Sequence, residues 1–116
     1  MTDRELLELA AKAAGFETIK YQDEKINPVL NIRYGFLEAI WNGDNYWNPM
    51  TDDGDALRLA VKLEMFLEIH QSVTTADIGI GKNEWVTCAE KHGNDPYAAT
   101  RRAIVRAAAE IGKGMK

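Results

Sequence analysis

The chain has 116 residues, of which 46% are hydrophobic and 28% charged, with a formal net charge of -4. These proportions are typical of one folded soluble domain, in which about 65% of the unfolded surface can be buried, and they exclude a low-complexity chain. The excess of acidic over basic residues, 18 against 14, disfavours binding to nucleic acid or anionic lipid.

Processing and membrane signals are absent from the pattern. A single cysteine, Cys88, cannot form an intrachain disulfide. No apolar run of the kind found in a signal peptide follows the opening MTDRELLELA, and no stretch approaches the ~20 apolar residues of a membrane span. We therefore expect a cytoplasmic protein with no membrane partner.

The first predicted element is a helix that begins after Thr2. Thr2 is followed three residues later by Glu5, which is the spacing of a capping box. Gly15 is suited to the left-handed position that ends a helix, and Phe16 supplies the apolar contact that often follows.

Residues 17 to 46 predict an antiparallel pair of strands. TIKYQ alternates, with Ile19 and Tyr21 on one face, and YGFLEAIW is rich in aromatic and branched residues before the turn signal Asn42-Gly43. The intervening stretch contains Pro28 and reads as a hairpin connection or an irregular insert. The structure of residues 23–34 is left open.

A second helix is predicted to begin at WNPMTDDGDALRLAVKL. Asp52 is its N-cap and Asp55 the capping-box position, while Asp53 lies in the first turn, where the helix dipole favours a carboxylate. Its apolar face is predicted to contain Ala56, Leu57, Leu59, Ala60, Val61 and Leu63. The three aspartates also resemble part of a calcium loop, but the alternate acidic spacing and closing glutamate of an EF-hand are missing. We favour helix capping and expect no metal.

A second pair of strands and a last helix follow. MFLEIHQSV alternates and EWVTCA reads as a strand, with the Gly-rich DIGIGKN between them, so that the structure of residues 74–84 is left open. Asp95 is a predicted N-cap, Pro96 occupies the first helical position, and Gly112 is predicted to end the helix.

This order, α-β-β-α-β-β-α, predicts a single α+β domain over residues 1–116. We expect one four-stranded, mainly antiparallel sheet covered by helices, because no Pro, Gly or Ser linker divides the chain.

Arg101 is the irregular residue of the last helix. The helix has an apolar stripe of Tyr97, Ile104, Ala108 and Ile111, with Arg102, Arg106 and Lys113 on the opposite, solvated side. Arg101 projects beside the stripe, where an unpaired charge is costly. Three alternatives remain: an ion pair with an aspartate of residues 52–55, an exposed side chain with a buried stem, or a contact to an anionic ligand.

Three segments, TDRELLELAAKAAG, WNPMTDDGDALRLAVKL and DPYAATRRAIVRAAAEIG, resemble the phage alpha-beta-alpha sandwich domain family. The resemblance covers about half of the chain and implies an alpha-beta-alpha sandwich of phage or prophage origin, with no catalytic residue to transfer. Residues 16–46 and 70–92 match nothing in the family, and Glu64 lies where its members have a glycine that ends the helix.

Catalytic signatures are weak in this sequence. Cys88 and His92 lack the spacing of a nucleophile and its base, DIGIGKN lacks the residues of a phosphate loop, and no metal-binding spacing occurs. We therefore expect a non-enzymatic phage accessory protein without a cofactor. It would bind a host protein or a small nucleotide-like anion, with counter-defence as one use of this binding, and form a homo-oligomer. The alternatives are a metal-dependent hydrolase that uses the aspartates at 52–55, and a virion assembly component.

If a small anion is bound, positive charge beside an aromatic face is the arrangement that would suit it. The sequence offers four residues of these types: Trp47, Lys82, Arg101 and Arg102.

Overall fold

The computed structural model describes residues 1–16, 20–21, 39–41 and 46–115. These residues form three helices and six strands. In chain order the elements are α1 (Asp3–Ala13), β1 (Lys20–Tyr21), β2 (Ile40–Trp41), β3 (Tyr46–Trp47), α2 (Asp53–Lys62), β4 (Phe66–Ile69), β5 (Val73–Gly81), β6 (Glu84–Lys91) and α3 (Pro96–Lys113). No helix in these described ranges has the length and apolarity to cross a bilayer.

Helix α1 has both of the predicted caps. The Thr2 hydroxyl accepts a hydrogen bond from the Glu5 amide, and the Glu5 carboxylate accepts one from the Thr2 amide, each at 3.1 Å. Gly15 has φ +88°, and the Phe16 amide donates to the Ala11 carbonyl at 3.1 Å. At this C-terminal end, the left-handed Gly15 and the bond from Phe16 to Ala11 are those of a Schellman motif, in which the left-handed residue lets the chain turn back on the helix.

The strands form two separate antiparallel sheets, so the predicted single four-stranded sheet is wrong for the described residues. The two-residue strands pair in the order β1-β2-β3, and the longer strands in the order β4-β5-β6. The predicted pairing of the strands on either side of Pro28 is present, with Tyr21 opposite Ile40. The Pro28 insert and the Asn42-Gly43 turn lie outside the described residues.

Strand β5 replaces the glycine-rich connection that the sequence suggested. It pairs with β4 on one side and β6 on the other, and Thr74, Ala76 and Ile78 are buried at alternate positions. The tight connection to β6 passes through Lys82 and Asn83, and Asn83 takes φ +69°, a conformation that asparagine tolerates better than most residues.

Helix α3 lies between two parts of the core. Its Ala103 and Ala107 pack with Ala76, Ile78 and Cys88 of the β4–β6 sheet. On another side of the helix, Val105, Ala108 and Ala109 belong to the core that includes α1, α2, Ile40 and Trp47. A helix, rather than a sheet covered on both faces, is therefore central in the described part, and the layer order of an alpha-beta-alpha sandwich is not seen there.

Helices α1 and α3 run in the same direction and approach closely. Arg102, in the first half of α3, bonds Asp3 at the beginning of α1, and Lys12 near the end of α1 bonds the Met115 carbonyl just after α3. A Cβ placed on Gly112 would overlap the Leu9 carbonyl group, 2.7 Å from its carbon atom. The missing side chain of Gly112 thus permits close helix packing. Gly112 does not end α3 as predicted, because the helix continues to Lys113.

Several predicted helix faces need correction. Leu57 and Val61 of α2 and Tyr97 of α3 are exposed rather than part of the core. Arg102 and Arg106 are half-buried and paired rather than free in solvent: Arg106 bonds the Ala89 carbonyl and the Glu90 carboxylate. Periodicity identifies the apolar side of a helix but not how much of that side its neighbours cover.

Helix α2 is capped by Asp52 as predicted and ends in a second Schellman motif. The Glu64 amide donates to the Val61 carbonyl and the Met65 amide to the Ala60 carbonyl, at 3.1 and 3.0 Å. Glu64 takes the left-handed position with φ +54°. The turn into β4 therefore uses a glutamate where glycine is favoured.

Candidate functional site

An apolar groove lies between α2, β4 and the first half of α3. Its volume is about 490 Å³, within the range of ligand-binding pockets in proteins. Side chains of all three elements form its lining, among them Leu57, Leu67, Ile69, Tyr97, Thr100 and Ile104.

Local sequence signals position these groove residues. The Asp95 carboxylate caps α3 by accepting a hydrogen bond from the Ala98 amide at 3.0 Å, which places Pro96 and Tyr97 in the first turn. The alternation of β4 directs Leu67 and Ile69 to the groove side of the sheet. Leu57, Ile69 and Tyr97 are 60%, 64% and 68% exposed. Three large apolar side chains around one concave surface are typical of a binding site.

An ion pair joins α2 to α3 at the edge of this groove. Arg101 donates from Nη1 to Asp53 Oδ1 at 2.6 Å and from Nε to the Met50 carbonyl at 2.8 Å. The Arg101 side chain is 17% exposed and that of Asp53 is 70% exposed. Of the three alternatives for Arg101, the structure shows the pair with an aspartate of residues 52–55. The charged residues that line the groove thus neutralise each other.

Arg102 makes a different set of contacts on the neighbouring side of α3. Its Nη1 donates to Asp3 Oδ1 of α1 at 2.8 Å and lies 3.9 Å from Met50 Sδ. Its Nε lies 3.9 Å from a Glu90 carboxylate oxygen. The two adjacent arginines therefore connect α3 to the beginnings of two different helices.

The four residues predicted to contact an anion are not brought together. Trp47 is buried and packs edge to face on Phe16, with 4.9 Å between ring centroids. Lys82 lies in the turn after β5, roughly 25 Å by strand rise from Thr74, which is near the groove. The two arginines already have carboxylate partners.

The aspartates at 52–55 have three separate structural roles. Asp52 accepts a hydrogen bond from the Asp55 amide at 2.8 Å, as the predicted N-cap. The predicted reciprocal bond of a capping box is replaced, because the Asp55 carboxylate accepts from the Asn48 amide at 3.0 Å and from Arg58 at 2.8 Å. Asp53 pairs with Arg101.

No chemical arrangement for a metal emerges from these carboxylates. Within the described ranges, no three His, Cys, Asp or Glu side chains converge on a position where they could hold a metal ion. The cluster is therefore accounted for by helix capping and ion pairing in the part of the chain that the structure describes. No observation there favours the metal-dependent hydrolase.

Comparisons with models of known protein families, with curated proteins and with solved structures find no match. The resemblance to phage alpha-beta-alpha sandwich proteins therefore stays a prediction from three sequence segments, as does the origin it implies. The site has to be interpreted from its own geometry.

Sequence reasoning missed a chain of hydroxyl and imidazole groups beside the groove. Thr74 Oγ1 lies 2.7 Å from His92 Nε2 and 2.8 Å from Thr100 Oγ1, and His92 Nδ1 lies 3.2 Å from the Gln71 carbonyl. In a neutral imidazole that donates from Nδ1 to the carbonyl, Nε2 is the acceptor and the Thr74 hydroxyl the donor. These residues come together because β5 pairs with β6 and α3 packs on the sheet. No local sequence signal could have revealed this series of hydrogen bonds.

The hydrogen-bonded series of Thr100, Thr74 and His92 supports the fold and is not arranged as a catalytic dyad. The side chain of Thr74 is fully buried, so its hydroxyl is not presented to a substrate. Cys88, the other potential nucleophile, is also buried, and burial raises the pKa of its thiol while nearby Arg106 partly opposes the rise. Neither group is set up for nucleophilic attack at neutral pH.

Proposed function

We propose that this protein acts by binding, and that the groove between α2, β4 and α3 takes up an apolar segment of a partner protein. The observation that carries the proposal is the combination of a concave surface of about 490 Å³ with exposed Leu57, Ile69 and Tyr97 around it. Burial of such side chains on binding is favourable by about 25 cal/mol per Å² of apolar surface.

The charges at the groove favour an apolar segment over a nucleotide-like anion. An anion bound to Arg101 would have to displace Asp53 or share the guanidinium with it, and Arg102 is similarly engaged by Asp3. A partner whose apolar side chains fill the groove leaves both ion pairs intact. A host protein is thus the better of the two partners expected from the sequence.

The free edge of β4 adds a second feature that suits a protein segment. Strand β4 pairs with β5 on one side and lies at the edge of the described β4–β6 sheet. An extended peptide can add to such an edge through its backbone while its alternate side chains enter a neighbouring pocket. The phage context implied by the family resemblance would place this binding in the cytoplasm of the host cell, where counter-defence is one use for it.

A matched pair of α2 variants tests the proposal. Leu57 and Val61 are one helical turn apart and similarly exposed, at 60% and 68%, but only Leu57 lines the groove. Peptides selected from a displayed random library on the unaltered protein are expected to carry apolar residues. We expect Leu57→Asp to weaken their binding at least about tenfold, since that factor corresponds to only 1.4 kcal/mol, and Val61→Asp to leave it unchanged.

Other outcomes would reject the groove as a site for a separate partner. Selected peptides that bind the unaltered protein and Leu57→Asp equally would place recognition elsewhere. Saturable heat on titration with cyclic or ADP-ribose-type nucleotides, lost in Arg101→Ala, would favour an anion instead. A dimer dissociated by Leu57→Asp but not by Val61→Asp would assign the groove to self-association.

A further inference from the structure

The face of the β4–β6 sheet turned away from α3 carries two aromatic side chains and an acidic one. Phe66 of β4 lies opposite Asp77 of β5, and Gly79 of β5 lies opposite Trp85 of β6. Because residues opposite one another in a sheet, and residues two apart in a strand, share a face, Phe66, Asp77 and Trp85 all lie on this one. We call these three residues the acidic-aromatic cluster.

The two aromatic rings of the cluster are unusually open to solvent. Phe66 is 65% exposed and Trp85 61% exposed, and their ring centroids are 6.4 Å apart at an interplanar angle of 67°. They come from the two outer strands and approach each other across β5, where Gly79 has no side chain. Of the described atoms beyond its chain neighbours, a Cβ placed on Gly79 would have only the Glu84 carbonyl oxygen within 4 Å, at 3.9 Å. The space between the rings and β5 is therefore not filled at Gly79.

Asp77 has a carboxylate oxygen for which the described residues supply no donor. Its Oδ1 is shielded from solvent and has no hydrogen-bond partner among the described residues. A polar atom that loses water without gaining a partner destabilises the folded state. The nearest cross-strand neighbours of Asp77 on this face are Phe66 and Thr87, neither of which carries a positive charge.

The wider charge pattern of this face is also acidic near the cluster. Glu68 follows Phe66 by two residues on β4 and is paired with His70, with 3.4 Å between His70 Nε2 and the carboxylate. Lys91 is at the other end of the face, opposite Val73. A cation approaching this sheet face thus meets the half-buried carboxylate of Asp77 beside two exposed aromatic rings. No nearby lysine or arginine on the described sheet face repels it.

We infer that the acidic-aromatic cluster binds a basic side chain, an arginine or lysine, of a partner protein. Asp77 accepts a charge-assisted hydrogen bond from the cation, and the faces of Trp85 and Phe66 attract its positive charge. This charge complementarity identifies the occupant, whereas an apolar segment would cover the half-buried Asp77 carboxylate without supplying a donor. The site is separate from the groove, because the side chains of β4 alternate between the two surfaces.

The inference can be tested with a charged ligand and its neutral isostere. The probes are N-acetyl-arginine amide and N-acetyl-citrulline amide, which have similar size and hydrogen-bonding groups but differ in charge. In NMR titrations we expect millimolar arginine probe to shift the indole resonance of Trp85, and citrulline probe to bind at least about tenfold more weakly, the factor that a hydrogen bond to a charged group supplies.

Two variants locate the effect. Asp77→Asn keeps the shape of the side chain and removes its charge, so the preference for arginine over citrulline is expected to disappear. Its thermal midpoint is expected to stay level or rise, because a shielded carboxylate without a donor does not support the fold. Leu57→Asp in the groove is expected to leave the arginine response unchanged, which separates this site from the proposed function.

Three results would overturn the inference. These are equal shifts with both probes, no shift at Trp85 with either probe, and an arginine preference that persists in Asp77→Asn. A marked loss of stability in Asp77→Asn would also count against it, because it would show that the carboxylate has a structural partner.

Discussion

Glu64 is the position where backbone conformation makes the sharpest prediction. It takes φ +54° at the end of α2, in the Schellman motif that leads into β4. A side chain in this conformation costs about 1–2 kcal/mol, because its Cβ crowds the following carbonyl. Replacement by glycine removes this strain but increases the entropy of the unfolded chain, at a cost of about 0.4–1 kcal/mol.

We therefore expect Glu64→Gly to stabilise the protein by about 0.5–1 kcal/mol, or to raise its thermal midpoint by roughly 2–4 °C. Urea denaturation followed by circular dichroism provides the free energy, and calorimetry the midpoint. Glu64→Ala is the matched control, since it removes the carboxylate and retains the Cβ. Its stability should stay close to that of the unaltered protein.

The same cap in α1 provides the reverse experiment. Gly15 has φ +88°, and among the described atoms a Cβ there would meet only Lys62 Nζ, at 3.8 Å. Gly15→Ala therefore overlaps no described atom, and its expected loss of about 1 kcal/mol reports backbone strain, reduced by the lower entropy of the unfolded chain. If Glu64→Gly lowers stability while Gly15→Ala costs nothing, the strain argument fails at both caps.

Three further predictions concern packing, ion pairing and pH. Gly112→Ala is expected to lower the free energy of unfolding in urea by about 1–3 kcal/mol, because its Cβ overlaps α1. In the control, Gly114→Ala, the Cβ would meet only a carbonyl oxygen at 3.6 Å among the described atoms, and the change in free energy should be near zero. Arg101→Ala is expected to lower the free energy of unfolding by about 1–2 kcal/mol, because it removes two hydrogen bonds. The control, Arg58→Ala at an exposed position, should change it little. An unchanged melting temperature for Arg101→Ala would refute the role of this residue in holding α2 to α3. Hydrogen bonds from Thr2, the larger effect being that of its backbone amide, hold the pKa of Glu5 below its ordinary value of 4.5. The ionised Glu5 carboxylate therefore stabilises the fold above pH 4.5, and this stabilisation is lost as the pH falls through the lowered pKa. Stability measured from pH 6 to pH 3 should fall less in Glu5→Gln, and equal slopes would contradict the assignment.

The N-caps of the three helices could be predicted because their signals are local. Thr2, Asp52 and Asp95 each lie next to the amides that they satisfy, so short stretches of sequence carry the information. The pairing of Arg101 with the aspartates near 52 could also be anticipated, since a charge beside an apolar stripe requires a partner. Which aspartate it contacts depends on the packing of α2 against α3.

Strand β5 shows why the sheets were harder to predict. Two of its three buried residues, Thr74 and Ala76, are small, and Gly79 and Gly81 interrupt the branched and aromatic pattern typical of a strand. It forms because β4 and β6 pair with it on both sides and α3 covers its inner face. These are contacts between distant parts of the chain, which alternation within nine residues does not specify.

The candidate sites follow from how α3 is packed. Alanines on two sides of this helix let α1 and the β4–β6 sheet come close, so the described core is built largely from small side chains. Larger apolar residues that periodicity assigned to the core, such as Leu57 and Tyr97, then remain at the edge of the contact. The exposed apolar surface of the groove is thus a consequence of tight packing around α3. Substitutions that enlarge the alanines of α3 should disturb the fold and the groove together, whereas Leu57→Asp should disturb the groove alone.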